Sequence, residues 1–126
     1  MPVSYQIDKE KGLVVCTVTG TCTAEDVLGF HEQVVADSDF DPNFSQLVDA
    51  TGIIRSEIAP EQMRSVAERS PFSPSSRRAL VAESDLGYAF CRVYEIVRSL
   101  RGDRQVRVFR NREAAMGWLL EREQAA

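Results

Sequence analysis

The side chains best placed to bind something lie where three predicted strands end. In open α/β sheets, the carboxyl ends of parallel strands form the edge at which ligands bind. The polar and charged residues predicted at or beside these strand ends are Asp49, Thr51, Ser56, Glu83, Ser84, Asp85, Arg110 and Asn111. They predict a candidate edge for a ligand or a partner. The alternative, which we favour, is that Asp49 stabilises its own turn while Ser84 and Asn111 cap helices.

The other reactive side chains lack the partners that catalysis or metal binding requires. His31 is the only histidine, and no acid or nucleophile stands at a spacing that would pair with it. Cys16, Cys22 and Cys91 lack the Cys-x-x-Cys and Cys/His spacing of zinc sites. We therefore expect no metal, no cofactor and no catalysis. Cys16 and Cys91 are interpreted as small core residues, whereas Cys22, beside a predicted helix start, is the candidate for an exposed, reactive thiol.

A candidate interface comes from tyrosines and arginines on a predicted helix over residues 85–100. The apolar stripe expected to face the sheet consists of Leu86, Phe90, Val93, Val97 and Leu100. The residues off this stripe, expected to face solvent or a partner, are Tyr88, Tyr94, Arg98 and Arg101. Tyrosine and arginine are enriched at binding hot spots, which favours an interface here. The alternative is ordinary amphipathic packing with exposed tyrosine hydroxyls.

The elements that must position these residues follow from the hydrophobic periodicity. Alternation over residues 4–8 and a β-branched run over 13–19 predict two strands joined by a turn at Gly12. Further strands are predicted over 44–49, 79–82 and 106–109, with a loop over 51–59. Thr23, Pro60, Ser84 and Asn111 mark the starts of four helices. The order ββαβαβαβα predicts one α/β domain over residues 1–126, with a mostly parallel five-stranded sheet after an N-terminal antiparallel hairpin.

Composition is that of a globular chain and excludes several functional classes. The 126 residues are 44% hydrophobic and 27% charged. A net charge of −4 and a pI near 5.0 argue against nucleic-acid binding, which requires a basic surface. No apolar run approaches the length of a membrane span, and the first residues do not resemble a secretory signal. Together with the three irregularly spaced cysteines, these features predict a cytoplasmic location.

The element order, with Leu47-Val48-Asp49-Ala50-Thr51-Gly52-Ile53 at the third strand, resembles the anti-sigma-factor antagonist (STAS) domains. More closely, the chain resembles their small bacterial relatives, the SpoIIAA-like or STAS/SEC14 domain proteins. The resemblance extends from Tyr5-Gln6-Ile7-Asp8 to Val106-Arg107-Val108-Phe109-Arg110. It implies a β-α superhelical domain that acts by interaction with a protein partner or with a second copy of itself. The Sec14-like branch implies an alternative, a binder or carrier of a small apolar or lipid ligand.

The sequence departs from the STAS pattern at the family's regulatory position. STAS members place Asp-Ser-Ser-Gly at the start of the helix after the third strand, and the first serine is phosphorylated. Counting from Asp49 puts Glu57-Ile58-Ala59-Pro60 there, and Ile58 has no hydroxyl. We therefore expect a regulatory or interaction module without this switch, with the apolar-ligand binder as the alternative and an enzyme third. An apolar cavity between helices would favour the ligand binder, and an exposed Tyr/Arg face the interaction module.

Overall fold

Within residues 2–124, which the computed structural model describes, five strands and four helices follow one another in the predicted order. The strands are β1 (Val3–Asp8), β2 (Leu13–Cys22), β3 (Ser45–Ser56), β4 (Arg78–Val81) and β5 (Val106–Phe109). The helices are α1 (Ala24–Ala36), α2 (Pro60–Glu68), α3 (Asp85–Leu100) and α4 (Arg112–Gln124). The sheet order is β1-β2-β3-β4-β5, with β1 antiparallel to β2 and every other pair parallel. The predicted α/β fold class with its antiparallel hairpin is confirmed.

Local signals set the hairpin turn and two helix starts as predicted. Gly12 adopts a φ of 60°, a left-handed conformation that glycine takes without steric cost. At the start of α1, Thr23 Oγ1 accepts a hydrogen bond from the Asp26 backbone N–H at 3.2 Å, and Asp26 Oδ2 accepts from the Thr23 backbone at 2.8 Å. Asn111 Oδ1 accepts from the Ala114 backbone N–H at 2.8 Å and so caps α4.

The predicted loop over residues 51–59 is wrong in its first half, because β3 continues through Ser56. β2 also continues beyond its predicted end, and the two extensions pair from Thr19 with Gly52 to Cys22 with Ser56, with irregular register. A Cβ on Gly52 would lie 3.0 Å from the Thr19 methyl group, so the close approach of the strands favours glycine there. Residues 51–56 are largely exposed and lack apolar alternation, which explains why the pattern did not reveal the strand.

Alternate residues of the strands pack against helices on opposite faces of the sheet. Cys16 and Val18 of β2 face a core that includes Phe30 of α1. Leu13 of the same strand faces a second core with Trp118 of α4. Helices α1, α2 and α3 therefore cover one face and α4 the other. None of the helices in residues 2–124 is long and apolar enough to cross a membrane.

A buried cluster of two guanidinium groups and one carboxylate joins β4, α3 and the segment before β5. Asp103 accepts from Arg78 Nη2 at 2.5 Å and from Arg98 Nε and Nη2 at 3.0 and 2.8 Å. Arg98 Nη1 also donates to the Ala67 carbonyl of α2 at 2.8 Å. Burial alone would raise the pKa of the Asp103 carboxyl, but the hydrogen bonds from Arg78 and Arg98 outweigh burial and hold that pKa below its usual range.

The predicted orientation of α3 is wrong by about one residue position, or roughly 100° about the helix axis. Arg98, expected to face solvent, is buried against Asp103, and Tyr94 packs against the core. The stripe residues that face outward instead are Leu86, Val93 and Leu100, which are 83%, 41% and 80% exposed. Turning Arg98 outward would remove one of the two guanidinium groups that compensate the buried Asp103 charge, which costs more than exposing a few apolar side chains.

We predict that Asp103→Asn strongly destabilises the fold. The amide keeps the shape of the carboxylate but leaves two buried guanidinium groups without a counter-charge. Breaking a buried charge pair in this way costs about 3–5 kcal/mol. Urea-induced unfolding of the variant and the parent chain measures the difference.

Glu68→Gln is the matched control, because it makes the same kind of change at the exposed ion pair between Glu68 and Arg101. Exposed pairs contribute little, so this variant should lose less than about 1 kcal/mol. Equal losses in the two variants would contradict a structural role for the buried cluster.

Candidate functional site

The Asp49 carboxylate accepts hydrogen bonds from its own turn and from α4. Its Oδ1 accepts from the Thr51 backbone N–H at 3.0 Å and from Thr51 Oγ1 at 2.6 Å. Its Oδ2 accepts from Arg112 Nη1 at 3.1 Å. Partial burial acts to raise the pKa of Asp49, but the hydrogen bonds from Thr51 and Arg112 outweigh it and the pKa is lowered. These contacts support the structural alternative for Asp49 and Thr51.

A second group of strand-end residues holds the ends of β4 and β5 together. Arg110 Nη1 donates to the Glu83 carbonyl at 3.1 Å and to Asp85 Oδ1 at 2.8 Å. The same guanidinium lies 4.2 Å from the centre of the Tyr88 ring. Ser84 Oγ accepts a backbone hydrogen bond in the first turn of α3 at 3.0 Å. With Asn111 capping α4, these residues stabilise turns and helix ends, and a binding role for them stays a prediction.

The four candidate interface residues do not share one exposed surface. Tyr94 and Arg98 face inward, as described above, so their predicted exposure is wrong. Tyr88 is half-buried beneath Arg110. Arg101 is exposed and forms an ion pair with Glu68.

A cavity of about 120 Å³, partly open to solvent, lies between the sheet and helices α1, α2 and α3. Its wall is almost entirely apolar and includes side chains from Val18, Val48, Phe30, Met63, Val66 and Phe90. An engineered apolar cavity of about 150 Å³ stays dry and binds benzene. The cavity therefore suits a molecule of about one aromatic ring or a short alkyl chain.

Two residues singled out in the sequence line this cavity. Ser56, from the strand-end set, lies at the carboxyl end of β3, and its Oγ accepts from the Ile58 backbone N–H at 3.4 Å. Ile58, which the STAS resemblance puts at the phosphorylated position, is buried just before α2 and contributes its side chain to the cavity wall. At this point of the fold the chain presents an apolar surface.

Among the described polar residues of the wall, His31 of α1 has a buried side-chain atom without a hydrogen-bond partner. Its Nδ1 is buried and makes no hydrogen bond to any of the described residues. Burial lowers the pKa of His31 to about 4, so the imidazole is neutral near pH 7. In the tautomer that carries its proton on Nε2, the buried Nδ1 is a hydrogen-bond acceptor.

The three cysteines also line the cavity as thiols rather than thiolates. Burial raises the pKa of Cys16 to about 12 and that of Cys22 and Cys91 to about 11. The prediction that Cys22 is exposed is wrong, because β2 extends to Cys22 and buries it. Among the described residues, no group of three or more His, Cys, Asp or Glu side chains could hold a metal ion.

Comparison with solved structures identifies the fold. The chain is similar to an uncharacterised protein of the DUF3478 family with a SpoIIAA-like fold from Shewanella loihica PV-4, with a TM-score of 0.60 and 17% identity over 93% of this chain and 91% of that one. It is also similar to an anti-sigma factor antagonist from Mycobacterium paratuberculosis, with a TM-score of 0.53 and 12% identity over 93% of each chain. No protein-family model and no curated protein matches the chain. The chain therefore has a SpoIIAA-like fold, as its sequence predicts.

The cavity was not predicted, because most of its wall consists of ordinary core residue types. Alternating apolar residues on β2 and β3 indicate only that one strand face is buried, and a filled core gives the same pattern. The one usable signal in the sequence is His31, a polar side chain next to the buried Phe30 of α1.

We predict that folding stability falls as the pH decreases from about 6.5 to about 4, through the titration of His31. The unfolded chain binds a proton in this interval while the folded chain keeps the imidazole neutral, so protonation favours unfolding. The slope contributed by His31 is at most about 1.4 kcal/mol per pH unit. Urea unfolding at a series of pH values measures it.

His31→Gln supplies the reference curve, since glutamine does not titrate and the carboxylates are common to both chains. The difference between the two curves isolates the histidine. The other titratable groups in the cavity wall are thiols and the Tyr94 hydroxyl, whose pKa values burial raises further from this range. Parallel curves would mean that His31 titrates normally and is not buried.

Proposed function

We propose that this chain binds a small, largely apolar molecule in the cavity between its sheet and helices α1–α3, without catalysing a reaction. The observation that carries the proposal is the cavity of about 120 Å³ with its apolar wall. Protein interiors are packed to crystal-like density, and an empty cavity forfeits dispersion contacts. A ligand of matching size would restore those contacts.

Among the polar groups in the wall, the one left without a hydrogen-bond partner in the described chain is His31 Nδ1. A buried acceptor without a partner costs free energy, and a ligand hydroxyl could donate to its Nδ1. The cysteines are less suited to this role because their thiols are weak hydrogen-bonding groups. The ligand class is therefore a single ring or short alkyl chain with at most one hydroxyl-type donor.

A regulatory, protein-interaction function is the second candidate. The fold shared with a protein named as an anti-sigma factor antagonist supports it. Against it, the predicted Tyr/Arg face loses Tyr94 and Arg98 to the interior. A phosphorylation switch forms no part of this candidate, since Ile58 cannot accept phosphate. The bacterial sources of both fold neighbours and the three free cysteines support a bacterial, cytoplasmic setting for either function.

We predict that filling the cavity abolishes binding of a one-ring probe. Ala50 lines the cavity from β3, and Ala50→Leu would place three more carbon atoms in it. Toluene binding, measured by isothermal titration calorimetry and by the increase in melting temperature, should be seen for the parent chain and lost in this variant.

Ala36→Leu makes the identical change at an exposed position at the end of α1 and should bind toluene as the parent chain does. Far-UV circular dichroism checks that both variants are folded. Absence of toluene binding to the parent chain, or unchanged binding in Ala50→Leu, would contradict the cavity proposal.

A thermodynamic cycle tests the role of His31. Phenol and toluene have similar size, but only phenol can donate a hydrogen bond to Nδ1. One such bond contributes about 0.5–1.5 kcal/mol. Phenol should therefore bind about 2- to 10-fold more tightly than its transfer from water to an apolar solvent alone would predict. His31→Leu should remove this gain while toluene still binds. A gain that survives the substitution would assign the polar contact to another group.

A further inference from the structure

The outward face of α3 carries a regular apolar stripe that no other element of the described chain covers. Its members are Leu86, Ala89, Val93, Ile96 and Leu100, all of them exposed. Their spacing of three, four, three and four residues is that of the seam through which one helix packs against another. Leu86 and Leu100 are at least 80% exposed, which is unusual for two leucines on one helix face.

The stripe is nearly symmetric about its middle residue, Val93. Leu86 and Leu100 each lie seven residues from it, in opposite directions. The flanking charges are opposite at the two ends, with Asp85 at the start of α3 and Arg101 directly after its end. Each of these charges lies eight residues from Val93.

We propose that α3 packs antiparallel against α3 of a second copy of this chain, around a two-fold axis at Val93. This arrangement puts Leu86 of one copy against Leu100 of the other, and Asp85 against the other copy's Arg101. The apolar stripe and the charges at its two ends are then self-complementary, as a two-fold interface requires. The two helix dipoles also oppose one another, which is favourable.

The alternative parallel pairing brings like charges together, Asp85 beside Asp85 and Arg101 beside Arg101, and is disfavoured. The contacts that these residues make within one chain do not prevent the antiparallel pairing. The side chain of Asp85 is 97% exposed although it pairs with Arg110, and Arg101 pairs with Glu68 at the surface. Exposed pairs of this kind contribute little and are readily exchanged.

The proposed interface and the cavity occupy opposite sides of α3. Phe90 and Tyr94 line the cavity, whereas Val93 and Ile96 face outward. The proposed dimer can therefore be tested independently of ligand binding. It predicts a concentration-dependent dimer whether or not the cavity holds a ligand.

Sedimentation equilibrium of the purified chain tests the proposal, and a dimer is expected. Val93→Asp puts two carboxylates at the two-fold axis and should weaken dimerisation at least about tenfold. Val35→Asp is the matched control, because Val35 is also an exposed valine, 62% accessible, on a different helix, α1. It should leave the dimer unchanged. A monomeric parent chain, or equal dimers for parent and Val93→Asp, would overturn the proposal.

Disulfide cross-linking with copper phenanthroline as oxidant tests the direction of the pairing. A mixture of the Leu86→Cys and Leu100→Cys variants should form a disulfide between the two different chains. Either variant alone should cross-link no more than the parent chain, which controls for the native thiols. Efficient cross-linking of Leu86→Cys to itself would mean a parallel pair and would contradict the antiparallel arrangement.

Discussion

Asp103 holds one carboxylate between the guanidinium groups of Arg78 and Arg98, at a depth that solvent scarcely reaches. Three segments supply these groups, namely β4, α3 and the chain just before β5. Because a buried charge without its partner is far more costly than an exposed apolar side chain, this cluster has priority over the apolar stripe in setting the rotation of α3. The outward turn of Leu86 and Leu100 is thus a consequence of where Arg98 must point.

The same rotation creates the inner wall of the cavity. With Arg98 directed inward, Tyr94 and Phe90, four and eight residues earlier, fall on the inner face of α3. The ring of Tyr94 packs beside the buried charges, and burial raises the pKa of its hydroxyl. One ionic constraint therefore accounts for an apolar cavity on one side of the helix and an apolar stripe on the other.

The parts of the fold that depend on neighbouring residues were predictable from the sequence. The Gly12 turn and the caps at Thr23 and Asn111 act within four residues, and the element order followed from periodicity. The rotation of α3 was not predictable in this way, since it depends on Arg78, which lies 25 residues from Asp103. The sequence does carry a signal, because Arg78 lies two residues before Leu80 and the two side chains therefore share one face of β4. The predicted strand began at Ala79 and so left Arg78 outside it.

The candidate site in the structure, the cavity, differs from the predicted strand-end edge for a related physical reason. Strand ends bind ligands in open α/β sheets when their polar groups are free to form hydrogen bonds with the ligand. Here Asp49 and Arg110 already form hydrogen bonds within the chain. Meanwhile Ile58, at the position that the STAS resemblance assigns to regulation, joins the apolar wall. A fold shared with an anti-sigma factor antagonist is thus compatible with a different site, since function resides in the groups that a fold presents and not in its topology. In this chain the groups presented at the start of α2 are suited to an apolar ligand rather than to phosphate.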